Sequence, residues 1–244
     1  MKFYRLLLLF LATSLSATLY GAAQPTSIGD FALLDHQGKF HQLSWYDDQK
    51  AVVIYIQGNG CPIARNGALT LKAIRDDFAG QGVEFFMLNP QPQDDRDSIA
   101  AEAAEFNYDF PILLDKSQLV AESLGVDRTS EVFVIDPKTL QVLYHGPIDD
   151  RLGYEAQKPE AQNHYLRDAL TAVLSGTAVA QGAPEAPGCL ISFPARDKYQ
   201  NTTISYADDI APILMENCVS CHHDGGIAPW SMNDHKMVQG WSRM

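Results

Sequence analysis

The sequence is poor in cysteine, with four in 244 residues. That is too few for a scaffold built on disulfides, so each one is weighed as a chemical group. Positive charge is also scarce: 18 Lys and Arg face 30 Asp and Glu, for a formal charge of −12. Such an acidic chain disfavours nucleic acid and anionic membrane surfaces, and it suits a redox partner protein or electron donor. Internal repeats are absent. The apolar run at residues 6–19, LLLLFLATSLSATL, falls short of the ~20 residues that span a bilayer.

That run does have the make-up of an export signal. Lys2 and Arg5 precede it, and Gly21, Ala22 and Ala23 follow with the small residues of a cleavage site. A signal peptide is expected over 1–23, leaving a periplasmic or secreted bacterial protein with no stable membrane span. About 220 residues remain, room for one full domain and a small second one.

FALLDHQGKFHQL reads as a hairpin turning at Gln37-Gly38. AVVIYIQ (51–57) is a nearly continuous β-branched and aromatic run, the signature of a strand buried on both faces. After the glycine-rich GNGCP, apolar residues at Ala64, Ala68, Leu71, Ile74 and Phe78 have helical spacing, ended by Gly80 and Gly82. A strand at 83–89, a helix near 95–106, a strand at 111–115 and a short helix before Gly125 follow. EVFVID and QVLYHG form a hairpin, and residues 160–176 an amphipathic helix. This order implies an α/β fold, a mixed sheet flanked by helices, over 24–175. GTAVAQGAPEAPG (176–188) lacks any period and reads as a linker or wrapping segment; the linker carrying Cys189 is placed at 176–200.

Cys61 stands where a buried strand hands over to a helix. Helix-terminal N–H groups there favour a thiolate, Pro62 suits the first turn, and Arg65, one turn on, is expected to lower the thiol pKa further. The alternative is a buried structural thiol.

VVIYIQGNGCPIARN, GVEFFMLNP, PILLDKSQLVAESLGV and RTSEVFVIDPKTLQVLYHGPIDD together resemble the redoxins of the thioredoxin superfamily, the peroxiredoxin-like and alkyl-hydroperoxide-reductase-like proteins, over about 26–175. The resemblance implies a thioredoxin-like fold with Cys61 as redox nucleophile. Three positions depart from the pattern. Ala64 replaces the second cysteine of a Cys-x-x-Cys. Gly58 stands where peroxiredoxins have threonine or serine. Ser130 takes the place of the superfamily's cis-proline, so a trans bond and an altered substrate groove are expected there. With no local partner for Cys61, Cys189 is the candidate resolving thiol; the alternative is two independent thiols.

Cys218-Val219-Ser220-Cys221-His222 is the C-x-x-C-H pattern of covalent haem attachment. One turn presents two thiols to the haem vinyls, and His222 becomes the axial ligand of the iron. The rivals are zinc, with only His223 and His235 as nearby additional ligands, and a thioredoxin-type redox motif, which would follow a buried strand where this one follows a helix. Residues 204–241 also resemble small c-type cytochrome domains. That likeness implies Pro229 lying against haem c, a neighbouring carbonyl holding the His222 ring, and Trp230 packed on the macrocycle. A mainly helical cytochrome segment is therefore expected at 201–244, one that stops short of a complete haem pocket, with Met244 a weakly placed sixth ligand.

The activity expected is thiol-based oxidoreduction at Cys61, with hydroperoxides as one substrate class and haem c for electron transfer. The rivals are a disulfide reductant for partner proteins and a non-enzymatic thioredoxin-like scaffold carrying the haem.

Overall fold

The computed structural model describes residues 27–154 and 156–241. The expected signal peptide and Met244 lie outside the described residues. No helix among them is long and apolar enough to cross a membrane. The chain divides into two compact units, one ending at Ser192 and the other starting at Phe193.

The first unit opens with a small hairpin of β1 (Ala32–Leu34) and β2 (Phe40–Gln42), paired antiparallel. Asp35 shapes its turn by accepting from the Gln37 and Lys39 amides, both at 2.9 Å. The main sheet has β3 (Ala51–Ile56) at its centre. Every residue of β3 is buried, as its unbroken apolar run requires. On one side β4 (Val83–Asn89) and β5 (Ile112–Leu114) run parallel to it; on the other, β6 (Val132–Asp136) and β7 (Gln141–Gly146) form an antiparallel hairpin, giving the order β5-β4-β3-β6-β7. The crossovers carry α1 (Pro62–Phe78) and α2 (Arg96–Glu105). A short α3 (Leu119–Leu124) follows β5, and α4 (Tyr165–Ser175) follows β7.

One core joins the sheet to its helices. Val53, Tyr55, Met87 and Val134 of the sheet share one buried cluster with Ala64, Ala68 and Leu71 of α1 and Leu166 and Leu170 of α4. Burying side chains of this size contributes roughly 1.5–3 kcal/mol each before chain entropy is counted. The Tyr55 hydroxyl donates to the Ala64 carbonyl at 2.8 Å. Gly67 makes this approach possible, because a Cβ there would stand 2.3 Å from the tyrosine oxygen. The first turn of α1 is thereby clamped to the centre of the sheet.

Two boundaries differ from the sequence reading. The helix expected from residue 160 begins at Tyr165. The Asp150 carboxylate accepts from the Gln162 and Asn163 amides at 2.8 and 3.1 Å and holds that stretch as a loop. The stretch read as linker over 176–200 contains a helix, α5 (Pro194–Tyr199), with proline in its first turn. Its Cys189 part belongs to the first unit.

The second unit continues with one turn of wide helix, Tyr206–Ile210, then α6 (Ala211–Asn217) and α7 (His235–Trp241). From Pro194 to Val238 no side chain is buried.

Candidate functional site

The β3–α1 junction forms the floor of the site. Its loop is held by carboxylates. The Asn59 amide donates to Asp94 at 2.9 Å, and the Gly60 amide to Glu102 at 3.0 Å. Both acids are buried. Asn89 fixes Asp94 in turn, donating to it at 2.9 Å and to Gln57 at 2.7 Å. Two loop N–H groups are thereby paired with buried carboxylates.

Cys61 caps α1 with extended backbone, and Pro62 follows in the first turn. The thiol is 4% exposed. Its sulfur lies 3.0 Å from Thr129 Oγ1 and 2.9 Å from the sulfur of Cys189. Thr129 Oγ1 also accepts from the Cys189 amide at 2.9 Å. With that amide donating to the oxygen, the threonine proton is free to point at Cys61. Burial pushes the Cys61 thiol up, but hydrogen bonds from the Cys189 thiol, the Thr129 hydroxyl and the Ala64 amide outweigh it, and the net shift is downward. Cys189 moves the other way. The hydrogen bond it gives Cys61, with some burial, pushes it up to about 11. In the reduced pair Cys61 is thus the more readily ionised sulfur and Cys189 the one that holds its proton. Both cysteines are free, and their sulfurs are roughly 1 Å beyond the ~2.05 Å of a disulfide.

These directions have a kinetic consequence. A lowered pKa means thiolate at lower pH, so alkylation of Cys61 should reach half its plateau below the ~8.5 of a free cysteine. Cys189→Ala removes a donor to the thiolate and should move that midpoint up. Iodoacetamide rates against pH, read at each cysteine by mass spectrometry, check both. Equal midpoints in the two proteins would break the link between the sulfurs.

Arg65 occupies a different place from the one its spacing suggested. Its guanidinium forks onto Glu102 at 3.1 and 2.7 Å and lies 4.1 Å over the Phe106 ring. Its polar contacts are with the acid that holds the Gly60 amide. It braces the loop, and the hydrogen bonds that lower the Cys61 thiol come from other groups.

Thr129 is the residue sequence reading missed. A hydroxyl beside the nucleophile was sought three residues before it, where Gly58 stands. The fold supplies one from the loop before β6, far along the chain. Neighbouring Ser130 has φ +70 and donates its amide to the Ile56 carbonyl at 2.7 Å. The peptide bonds among the described residues are all trans.

Cys189 sits on a strap that pairs with that same loop. The Thr129 amide donates to the Cys189 carbonyl and the Ile191 amide to the Asp127 carbonyl, both at 2.9 Å, an antiparallel bridge centred on Arg128 and Leu190. The Tyr154 hydroxyl donates to the Gly188 carbonyl at 2.9 Å and accepts from its amide at 3.0 Å.

The C-x-x-C-H segment forms a second site, in the second unit. Cys218 ends α6, and the Cys221 and His222 amides both donate to its carbonyl, at 3.1 and 2.9 Å. The two thiols are free, Cys221 exposed and Cys218 half-buried. His222 Nδ1 donates to the Trp230 carbonyl at 2.9 Å, which leaves Nε2 as the ring nitrogen not engaged by that bond. The Trp230 and His222 rings are 5.2 Å apart. Pro229 stands immediately before Trp230 in this loop, and His223 is exposed. Among the described residues no three His, Cys, Asp or Glu side chains converge as a zinc site needs.

Residues 26–143 match the AhpC/TSA family. A curated relative, the thiol-disulfide oxidoreductase ResA of Geobacillus thermodenitrificans, is 26% identical over 138 residues, which are 53% of this chain and 78% of that protein. Among solved structures, a hypothetical protein from Sinorhizobium meliloti is 29% identical, with a TM-score of 0.62, covering 70% of this chain and 94% of that one. An uncharacterised conserved protein from Geobacillus kaustophilus is 26% identical, with a TM-score of 0.63, covering 71% and 94%. These likenesses lie with a redoxin domain of thioredoxin-like fold. The family match ends at residue 143.

Proposed function

We propose that this chain, whose residues 26–143 match the AhpC/TSA family, is a thiol-based oxidoreductase that exchanges disulfides with partner proteins through Cys61 and Cys189. The 2.9 Å sulfur pair, with the Cys61 thiol shifted down and the Cys189 thiol shifted up, carries the reading. The Cys61 thiolate attacks one sulfur of a partner disulfide, forming a mixed disulfide and releasing the partner's other sulfur as a thiolate. That thiolate takes a proton. Cys189 gives up its own proton and attacks the Cys61 sulfur, forming a 61–189 disulfide and releasing the second partner thiol. The partner gains two electrons and this protein loses two.

Hydroperoxide is the weaker substrate. Reducing it calls for donors aimed at a departing oxygen. The Thr129 hydroxyl is the one side-chain donor described beside Cys61 apart from Cys189, and the Arg65 fork is spent on Glu102. Mapping by mass spectrometry without reductant, after turnover with a disulfide-bonded protein such as insulin, should find a 61–189 linkage that dithiothreitol removes. Consumption of tert-butyl hydroperoxide should be slower than insulin reduction by about tenfold or more. A missing 61–189 linkage would refute the two-cysteine reading, and faster peroxide turnover would move the substrate class.

The second unit is proposed to carry haem c on Cys218 and Cys221, with His222 as axial ligand. Its residues fit the group. The thiols are free, a carbonyl orients the imidazole, and large apolar side chains lie open, including Met215 at 70% and Ile227 at 91% exposed. A stretch this small with no buried side chain between Pro194 and Val238 gains from a group to pack on. Haem would supply one-electron transfer there. The leader sequence and the haem motif together favour a bacterial periplasm, where a disulfide also persists.

A further inference from the structure

The strap that carries Cys189 covers the place a substrate must enter. Cys61 is almost wholly buried, and the Cys189 sulfur lies directly against it. The covering segment is extended and joined to the 127–129 loop by backbone bonds. Its fit is set by one position. A Cβ on Gly188 would stand 1.9 Å from the Thr129 carbonyl oxygen, a backbone atom that cannot step aside. The segment therefore presents to Cys61 a cysteine preceded by a residue without a side chain. Its hold is mainly polar and near the surface: Leu190 and Tyr154 are exposed, and hydrogen bonds with Tyr154, Thr129 and Asp127 fix it between the buried Ala186 and Ile191. Backbone bonds at such a surface open well below the cost of global unfolding.

We propose that residues 187–191 are a tethered stand-in for the substrate, and that a partner polypeptide enters by displacing them. The partner segment pairs with residues 127–129 as an extended strand, with glycine immediately before its reacting cysteine. The strap then returns, and its return does two things. Cys189 attacks the Cys61 sulfur and breaks the mixed disulfide, and the strand it rebuilds expels the reduced partner. The inference rests on the disulfide-exchange reading for the chemistry, but strand exchange itself is a binding event without electron transfer.

The test uses full-length protein and a fluorescent peptide, Pro-Gly-Ser-Leu-Ile-Ser, in which serine prevents any disulfide. Gly188→Ala should drive the strap off its edge, and Tyr154→Phe, which removes both bonds to Gly188, should loosen it without touching Thr129. By fluorescence anisotropy the peptide should bind Gly188→Ala about tenfold tighter than wild type, with Tyr154→Phe between them. Wild type locked as the 61–189 disulfide should not bind it. A Pro-Ala-Ser-Leu-Ile-Ser peptide should bind every protein at least about tenfold more weakly. Equal binding of the glycine peptide to wild type and both variants, equal binding of the two peptides, or no binding at all would overturn the proposal. Reaction of the same proteins with a small aromatic disulfide is read separately. An inert Cys61 would sink the disulfide-exchange reading, while the anisotropy still decides the strand exchange.

Discussion

Cys189→Ser protein, given a disulfide-bonded substrate, will accumulate as a mixed disulfide at Cys61, and Cys61→Ser protein will turn over nothing. Cys61 is the only thiol in the first unit placed at a helix N-terminus with donors on its sulfur. Serine at that position has no accessible anion near neutral pH, so the loss should be on the order of 10³-fold or more. The Cys189→Ser loss arises at a later step. Its hydroxyl still donates to the thiolate, so the first attack proceeds at near the normal rate. What stops is the resolving attack, and one equivalent of partner thiol is released in a burst before turnover ceases. The two single variants are therefore distinguishable by mass. One carries a trapped adduct and the other carries none. In Cys61→Ser the thiol of Cys189 should also titrate lower than about 11, because the thiolate that held its proton is gone. An adduct on Cys189 in place of Cys61 would reverse the assigned roles.

Coexpression with a periplasmic haem-attachment system should yield one haem per chain that survives acid-acetone extraction, and Cys218→Ala with Cys221→Ala should yield none. Residues 194–238 bury no side chain, so the effect should reach the stability of this stretch as well as its spectrum. Proteolysis within residues 194–238 should be at least about tenfold faster in the double variant, since folding and attachment are coupled when the group is the core. His222→Ala should retain the thioether links and lose the axial ligand, which a shifted Soret band would report. Stoichiometric zinc with no haem absorbance would overturn the assignment.

Much of the first unit was legible in the sequence because its signals are local. An all-apolar run of β-branched residues has few alternatives to a central strand, and β3 is one. The glycine loop and helix period after it placed Cys61 at a helix start. Arg65 was misplaced for the opposite reason. Helical spacing puts it one turn from Cys61, but its partner Glu102 arrives from α2, on a crossover that spacing within α1 cannot reveal. Thr129 was invisible for a related reason. No local pattern marks a hydroxyl that becomes significant only when the β6 loop and the strap close over Cys61. The pairing of Cys189 with Cys61 was reachable only by counting cysteines, since a Gly-, Ala- and Pro-rich segment has no period from which to read a strand. The start of α4 shifted because a single carboxylate, Asp150, outbid helix propensity over two amides.

The strap is fastened at both ends, to α4 behind it and at Ser192, whose carbonyl accepts from Gln118 at 2.8 Å. A thiol on such a leash never becomes a free solute. Even when displaced it explores a volume of molecular size, which corresponds to an effective concentration of order millimolar. Any competing thiol must match that figure to intercept a mixed disulfide at Cys61. The lifetime of the covalent intermediate is then governed by how often the leash swings home, and dilution of the protein leaves it unchanged.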